Sequence, residues 1–247
     1  MQNVLTQWPR SIPKVFRPLA TIKLPDLDAG GLIDFLALRR ARQIQRRLDA
    51  IQCSGLTGTW SECFFRNKGD FTAVNTTASE ASLLAGQNQQ PTIPALFFDQ
   101  QPFRSVGFLA RGIIGTTSTP TIVFQTRLGT TVGSSTLSGT SCGVSAAITT
   151  ASGVSNKWWE LRLDLTCTVG GQGSTNATLA GAGYVSSPGG FASPFIYALE
   201  PTTPDTATWT LTLDDSVTQY FNLSVTWGTS SASNTITAKQ LYGFGYN

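Results

Sequence analysis

From about residue 94 onward, apolar and polar residues alternate one by one in a series of short runs. Thr121–Leu128 places Ile122, Phe124, Thr126 and Leu128 on one side. Trp159, Leu161, Leu163, Leu165 and Cys167 alternate with Trp158, Glu160, Arg162, Asp164 and Thr166. Trp209, Leu211 and Leu213 alternate with threonines, and Phe221, Leu223, Val225 and Trp227 repeat the pattern. The span from Ile236 to Phe244 reads as the last strand. A period of two with one polar side predicts strands packed on one face. Gly, Pro, Ser and Asn clusters separate these runs, so the expected fold is an antiparallel β-sandwich, of the jelly-roll type, over residues 94–247.

The period changes near the N-terminus. Residues 32–52 (LIDFLALRRARQIQRRLDAIQ) hold no Gly, Pro, Ser or Thr and predict one short amphipathic helix. Within it Ala37, Ala41, Ile44, Leu48 and Ile51 are spaced 4, 3, 4 and 3, the seam of a two-heptad coiled coil. We expect these five residues to carry an oligomer contact, with a homotrimer as the assembly; an amphipathic helix lying on the body is the alternative. In this register Arg40 and Arg47 take g positions with no acidic partner, so they form a basic sheath.

Residues 1–31 are different again. Pro9, Pro13, Pro18 and Pro25 forbid a continuous helix and leave an extended arm. Large apolar side chains scattered on an arm without a core suggest a peptide that lies in another protein's groove. Trp8, Arg10, Lys14, Phe16 and Arg17 are the expected particle-binding residues. Residues 53–93 read as linker and loops, ending in the polar stretch from Gln87 to Pro91.

Charge sharpens this division. Residues 1–52 hold nine Lys/Arg and four Asp, a balance of +5, whereas the remaining 195 carry eight basic and ten acidic side chains, a balance of −2. A basic arm on a near-neutral body suits an arm that attaches and a body that presents. The arm is thinner in Lys/Arg than nucleic-acid-binding arms are, so no nucleic-acid partner is expected. No run approaches the ~18 apolar residues of a membrane span, and no secretory apolar region opens the chain. Synthesis in a cytoplasm and no membrane partner are the expectations.

The chain has no histidine. That removes Ser-His-Asp and Cys-His nucleophile systems and histidine metal sites. Cys53, Cys63, Cys142 and Cys167 form no CxxC pair; reduced, buried thiols are expected, with Cys53–Cys63 the one disulfide candidate. Glu160 and Asp164 share a strand face with Arg162 between them. Four residues of strand put them roughly 13 Å apart. Glycosidase carboxyls stand about 5–5.5 or 6.5–9.5 Å apart, so a solvated charged face is the better reading. Asp214-Asp215 reads as a turn and Gly170–Gly173 as a hairpin. No catalytic residue, metal or cofactor is expected, and the chain is read as a non-enzyme. Tyr242, Phe244 and Tyr246 share one side of the last strand and are expected at a subunit contact.

Three stretches carry a resemblance: 107–129, 146–173 and 206–247. Their marks are Thr119-Pro120-Thr121, Trp159-Glu160-Leu161 before a Gly-rich turn, and an ending that runs from Trp227 through Ser231-Ala232-Ser233-Asn234-Thr235-Ile236 to Asn247. Over roughly residues 95–247 the chain resembles β-rich structural proteins of tailed bacteriophages. The resemblance implies a virion component: a capsid decoration or head-fibre protein seated on the major capsid protein or another virion protein. A tail fibre or lectin-like module that binds the host surface is the alternative.

Overall fold

The alternating runs that lie in the structure are strands, and their apolar sides face inward except in the last, where a register shift between Ala238 and Gln240 turns Tyr242, Phe244 and Tyr246 outward. The structure is a computed structural model that describes residues 61–87, 89–99, 104–171, 177–201 and 210–246. The chain divides into two units, Met1–Gly55 and Leu56–Asn247, and the described residues belong to the second. The expected arm (1–31) and helix (32–52) lie outside the described residues, among which there is no helix.

Among the described residues, thirteen strands form a single antiparallel sheet folded into two facing layers. The first layer runs β1 (Ser61–Arg66), β13 (Thr235–Tyr246), β4 (Ser105–Thr116), β8 (Val154–Val169), β9 (Ala177–Ser186). The second runs β6 (Thr140–Ser145), β5 (Thr121–Gly129), β12 (Gln219–Trp227). The short β2 (Ala81–Ser82) and β3 (Thr92–Ile93) pair with β12, β7 (Ile148–Thr149) pairs with β5, and β11 (Thr210–Leu213) pairs with β9. One strand stitches the layers together: β10 (Ile196–Glu200) pairs with β9 on one side and β6 on the other.

Aromatic side chains fill the space between the layers. Phe108 of β4 stacks on Phe221 of β12, centroids 3.8 Å apart and planes 12° apart. Phe124 of β5 meets Trp159 of β8 at 5.4 Å. All four are at most 1% exposed. Ile122, Leu161, Leu163, Leu165, Leu223, Val225 and Trp227 complete the same core.

The body begins earlier than the pattern suggested. Residues 53–93, expected as linker and loops, supply β1, β2 and β3 and bury Phe71, Val74, Leu83, Leu84 and Ile93. A bulge between Cys63 and Phe65 shifts the pairing of β1 with β13, so SECFFR shows no clean alternation. Cys142 and Cys167 are buried as expected, but Cys63 is exposed on this edge strand. Its candidate partner Cys53 lies outside the described residues.

The two layers differ on their outer sides. Over the second, the β5–β6 loop folds back: the Asn222 amide donates to the carbonyls of Ser134 and Thr136, and Ser82 Oγ donates to Ser134 at 2.5 Å. An Arg127–Glu80 ion pair (3.1 Å) and Ser224 Oγ, donating to Glu80 at 2.5 Å, close over the same side. Asn222 and Ser224 are thereby buried. The first layer carries no such cover among the described residues, and it is this face that bears the candidate site.

The Asp214-Asp215 pair splits into two roles. Asp214 Oδ1 accepts from the amide (3.0 Å) and hydroxyl (2.6 Å) of Ser216, as a turn residue does. Asp215 is buried, 1% exposed, and its Oδ2 meets no hydrogen-bond donor. Burial pushes its carboxyl up to about 6; the Phe98 amide opposes this, and the nearby Asp99 and Asp214 add repulsion. The folded state therefore holds this proton more tightly than the unfolded chain. The contribution of this carboxyl to stability is full near pH 4 and below, is lost as pH rises from about 4 to 6, and stays lost above. Asp215→Asn is expected to gain about 1–3 kcal/mol at pH 8 and almost nothing at pH 3.5. Urea titrations at the two pH values check this; an equal change at both would mean the carboxyl is charged throughout.

Candidate functional site

Register, not sequence proximity, assembles the open face. On β13, Tyr242, Phe244 and Tyr246 point outward in a row, with successive centroids 6.0 and 6.5 Å apart and planes within 18° and 23°. Arg66 of β1 lies over Tyr242 at 5.8 Å. Beside this row stand Gly107, Leu109 and Arg111 of β4, paired with Phe244, Tyr242 and Gln240. Next come Asp164, Arg162 and Glu160 of β8, directly across from those three β4 residues. Tyr184 of β9 follows, opposite Arg162.

The charges on this face are tied into two separate clusters. Arg111 Nε donates to Glu160 Oε2 at 2.6 Å, and the Tyr184 hydroxyl donates to Glu160 Oε1 at 3.0 Å. Arg162 Nε donates to Asp164 Oδ2 at 2.9 Å. A methyl group on Gly107 would lie 2.7 Å from both Asp164 Oδ1 and the Tyr246 hydroxyl. The glycine thus lets those two side chains pack closely over β4. Leu109, Phe244 and Tyr246 wall the concavity, about 310 Å³ in volume, that these clusters line.

Electrostatics keeps both phenols protonated. The hydrogen bond to Glu160 raises the Tyr184 pKa first, and burial adds to it. Burial, then the Asp164 charge, raises that of Tyr246. The hydrogen bond to Asp164 raises the Arg162 pKa further. The site presents two arginines, two acidic side chains and two phenol hydroxyls that stay neutral. Each carboxylate is bound to a different arginine, so the pair does not stand as an acid and a base across a shared bond. Among the described residues, no group of three His, Cys, Asp or Glu side chains could hold a metal ion, and no helix is long and apolar enough to cross a membrane.

The structure brings together residues that the sequence left apart. Glu160, Arg162 and Asp164 do form a solvated charged face, and Tyr242, Phe244 and Tyr246 do share one side. That these six adjoin follows only from the order β13-β4-β8. Trp158 is half exposed at the end of the same β8 row, while Trp159 is fully buried. Arg111 and Tyr184 were missed. Their signal was present: Arg111 is the one charge inside GFLARGII, and Tyr184 the one aromatic in AGAGYV. Ala37, Ala41, Ile44, Leu48 and Ile51, the arm residues Trp8, Arg10, Lys14, Phe16 and Arg17, and the sheath Arg40 and Arg47 all lie outside the described residues.

No protein-family model matches this sequence, and no curated protein matches it. Among solved structures, the chain is similar to lectin UEA-II in complex with galactose, at 8% identity and a TM-score of 0.34, over 76% of this chain and 98% of that one. It is similar to peanut lectin with a nine-residue peptide at 10% identity and 0.29, over 77% and 97%. Lectin I-B4 from Griffonia simplicifolia, in its metal-free form, gives 13% identity and 0.31, over 77% and 100%.

Proposed function

We propose that the chain is a non-enzymatic structural protein of a virus particle, a capsid decoration or head-fibre protein of the tailed-phage kind. In this reading residues 1–31 attach it to the major capsid protein or another virion protein. The seam Ala37, Ala41, Ile44, Leu48 and Ile51 draws three copies together, and the two-layered body, which we take to be a jelly roll, is displayed. One observation carries the reading. The stretches that resemble phage structural proteins span most of β4, all of β5, β7 and β8, and β11 to β13, strands of both layers. The resemblance therefore falls on residues that set the fold, not on interchangeable loops. The separate pairing of Glu160 and Asp164 supports a role without catalysis.

The test is location. Density-purified particles are expected to contain the protein, and gold-labelled antibody should mark their surface. A protein lacking residues 1–31 is expected to fold and to stop co-sedimenting with stripped particles. Absence of the protein from purified particles would overturn the reading. A second reading, a host-surface-binding fibre module, is favoured by the aromatic and hydrogen-bonding open face.

A further inference from the structure

We propose that the concavity between Tyr246 and Tyr184 binds a neutral saccharide, with Glu160 and Asp164 accepting from its hydroxyls, Arg111 and Arg162 donating to them, and Phe244 and Tyr246 packing on its C–H face. This deepens the second reading above and does not depend on the protein's place in a particle.

The composition of the face selects the ligand class. A subunit contact buries a centre depleted in charge. Here two ion pairs sit at the centre, beside the Phe244 and Tyr246 rings, and a flat protein surface would strip their water without replacing their hydrogen bonds. A sugar hydroxyl replaces each displaced water as donor and acceptor at once. Two guanidinium groups balanced by two carboxylates give no net attraction for an anion, which sets aside phosphate, nucleic acid and acidic sugars.

Hydrogen-bonding capacity remains to be used. Each arginine spends its Nε–H on its own carboxylate and keeps further N–H groups. Glu160 accepts two bonds, one at each oxygen, where an ionised carboxylate offers about four sites. Adjacent hydroxyls on a sugar ring match the paired oxygens of a carboxylate and the forked N–H groups of an arginine. Aromatic walls supply what an amphipathic ring needs on its other side. The 310 Å³ volume is at the small end of the roughly 300–1,000 Å³ range of ligand pockets, a fit for one sugar unit of a chain.

Two features mark the concavity as prepared. Its groups stand on adjacent paired strands, which hold them without help from a loop. Gly107, having no side chain, lets Asp164 and Tyr246 of the lining pack closely over β4, where a methyl group would push them apart. That atom would meet the Asp164 carboxylate and the hydroxyl and ring edge of Tyr246, so Gly107→Ala displaces both side chains from their places in the site.

The test is saturation-transfer NMR on the full-length protein with glucose, galactose, mannose, rhamnose, N-acetylglucosamine and N-acetylneuraminic acid as probes. At least one neutral sugar is expected to bind in the millimolar range. Arg111→Ala, Asp164→Asn and Gly107→Ala should each weaken it at least tenfold, while Lys239→Ala, in a surface ion pair with Asp70, should not change it. Circular dichroism confirms that each variant is folded. Transfer to no neutral sugar, transfer to the acidic sugar alone, or binding indifferent to all three site variants would each overturn the proposal. So would light scattering in which the same variants dissociate an oligomer, because the face would then belong to a second copy.

Discussion

A Gly112→Ala protein is expected to lose about 3 kcal/mol or more of stability, enough to unfold a marginal domain. Gly112 lies inside β4, paired with Ala238 of β13 on one side and Trp159 of β8 on the other. The β13 register shifts between Ala238 and Gln240, just beside it. A Cβ on Gly112 would collide with the Thr237 carbonyl oxygen and come within 2.9 Å of Trp159 Cε2. A backbone carbonyl and a fully buried indole cannot swing aside as a surface side chain can. Gly107, five residues earlier on the same strand, is the internal comparison, since the atoms nearest its added methyl belong to the partly exposed side chains of Asp164 and Tyr246 and not to the backbone. Denaturant unfolding followed by circular dichroism should separate the two by several-fold in cost. Equal, small losses would show that β13 can move off β4.

The second large effect joins the layers. Phe108→Ala and Phe221→Ala should each cost about 3–5 kcal/mol, as buried phenylalanine truncations do. Their rings stack across the interlayer space at 3.8 Å, so the double variant should cost about 1 kcal/mol less than the two losses taken together. Additivity to within ~0.5 kcal/mol would mean that the rings do not share a contact. The pair thus reads out the facing of β4 on β12 directly, which no measurement of strand content can do.

Alternation revealed the core where strands are regular. Ile122, Phe124 and Leu128, the odd positions from Trp159 to Cys167, and Phe221 to Trp227 all point inward as their period requires. It failed before residue 94 for a physical reason. Phe64 and Phe65 are both apolar because the bulge places them out of phase, and Leu83-Leu84 enter the core from a turn. The site was legible strand by strand but not across strands. Parity put Glu160, Arg162 and Asp164 on one side and Tyr242, Phe244 and Tyr246 on another strand's side. Nothing local states that β4 lies between them, with Gly107 as a gap and Arg111 as the partner of Glu160. Those pairings join residues 49 to about 140 positions apart, and hydrophobic periodicity carries no information at that range.

The pairing of β1 with β13 has one more consequence. Ser61 stands opposite Tyr246, so the first and last described residues of the body are partners in the same ladder. Topologically it is a ring with a single nick. Sealing the nick with a short linker and opening the chain between β8 and β9 would leave every layer contact in place, because none of the packing depends on which connection is missing. A peptide fused after residue 246 emerges at the corner where β1 enters, beside Tyr246 and the edge of the open face.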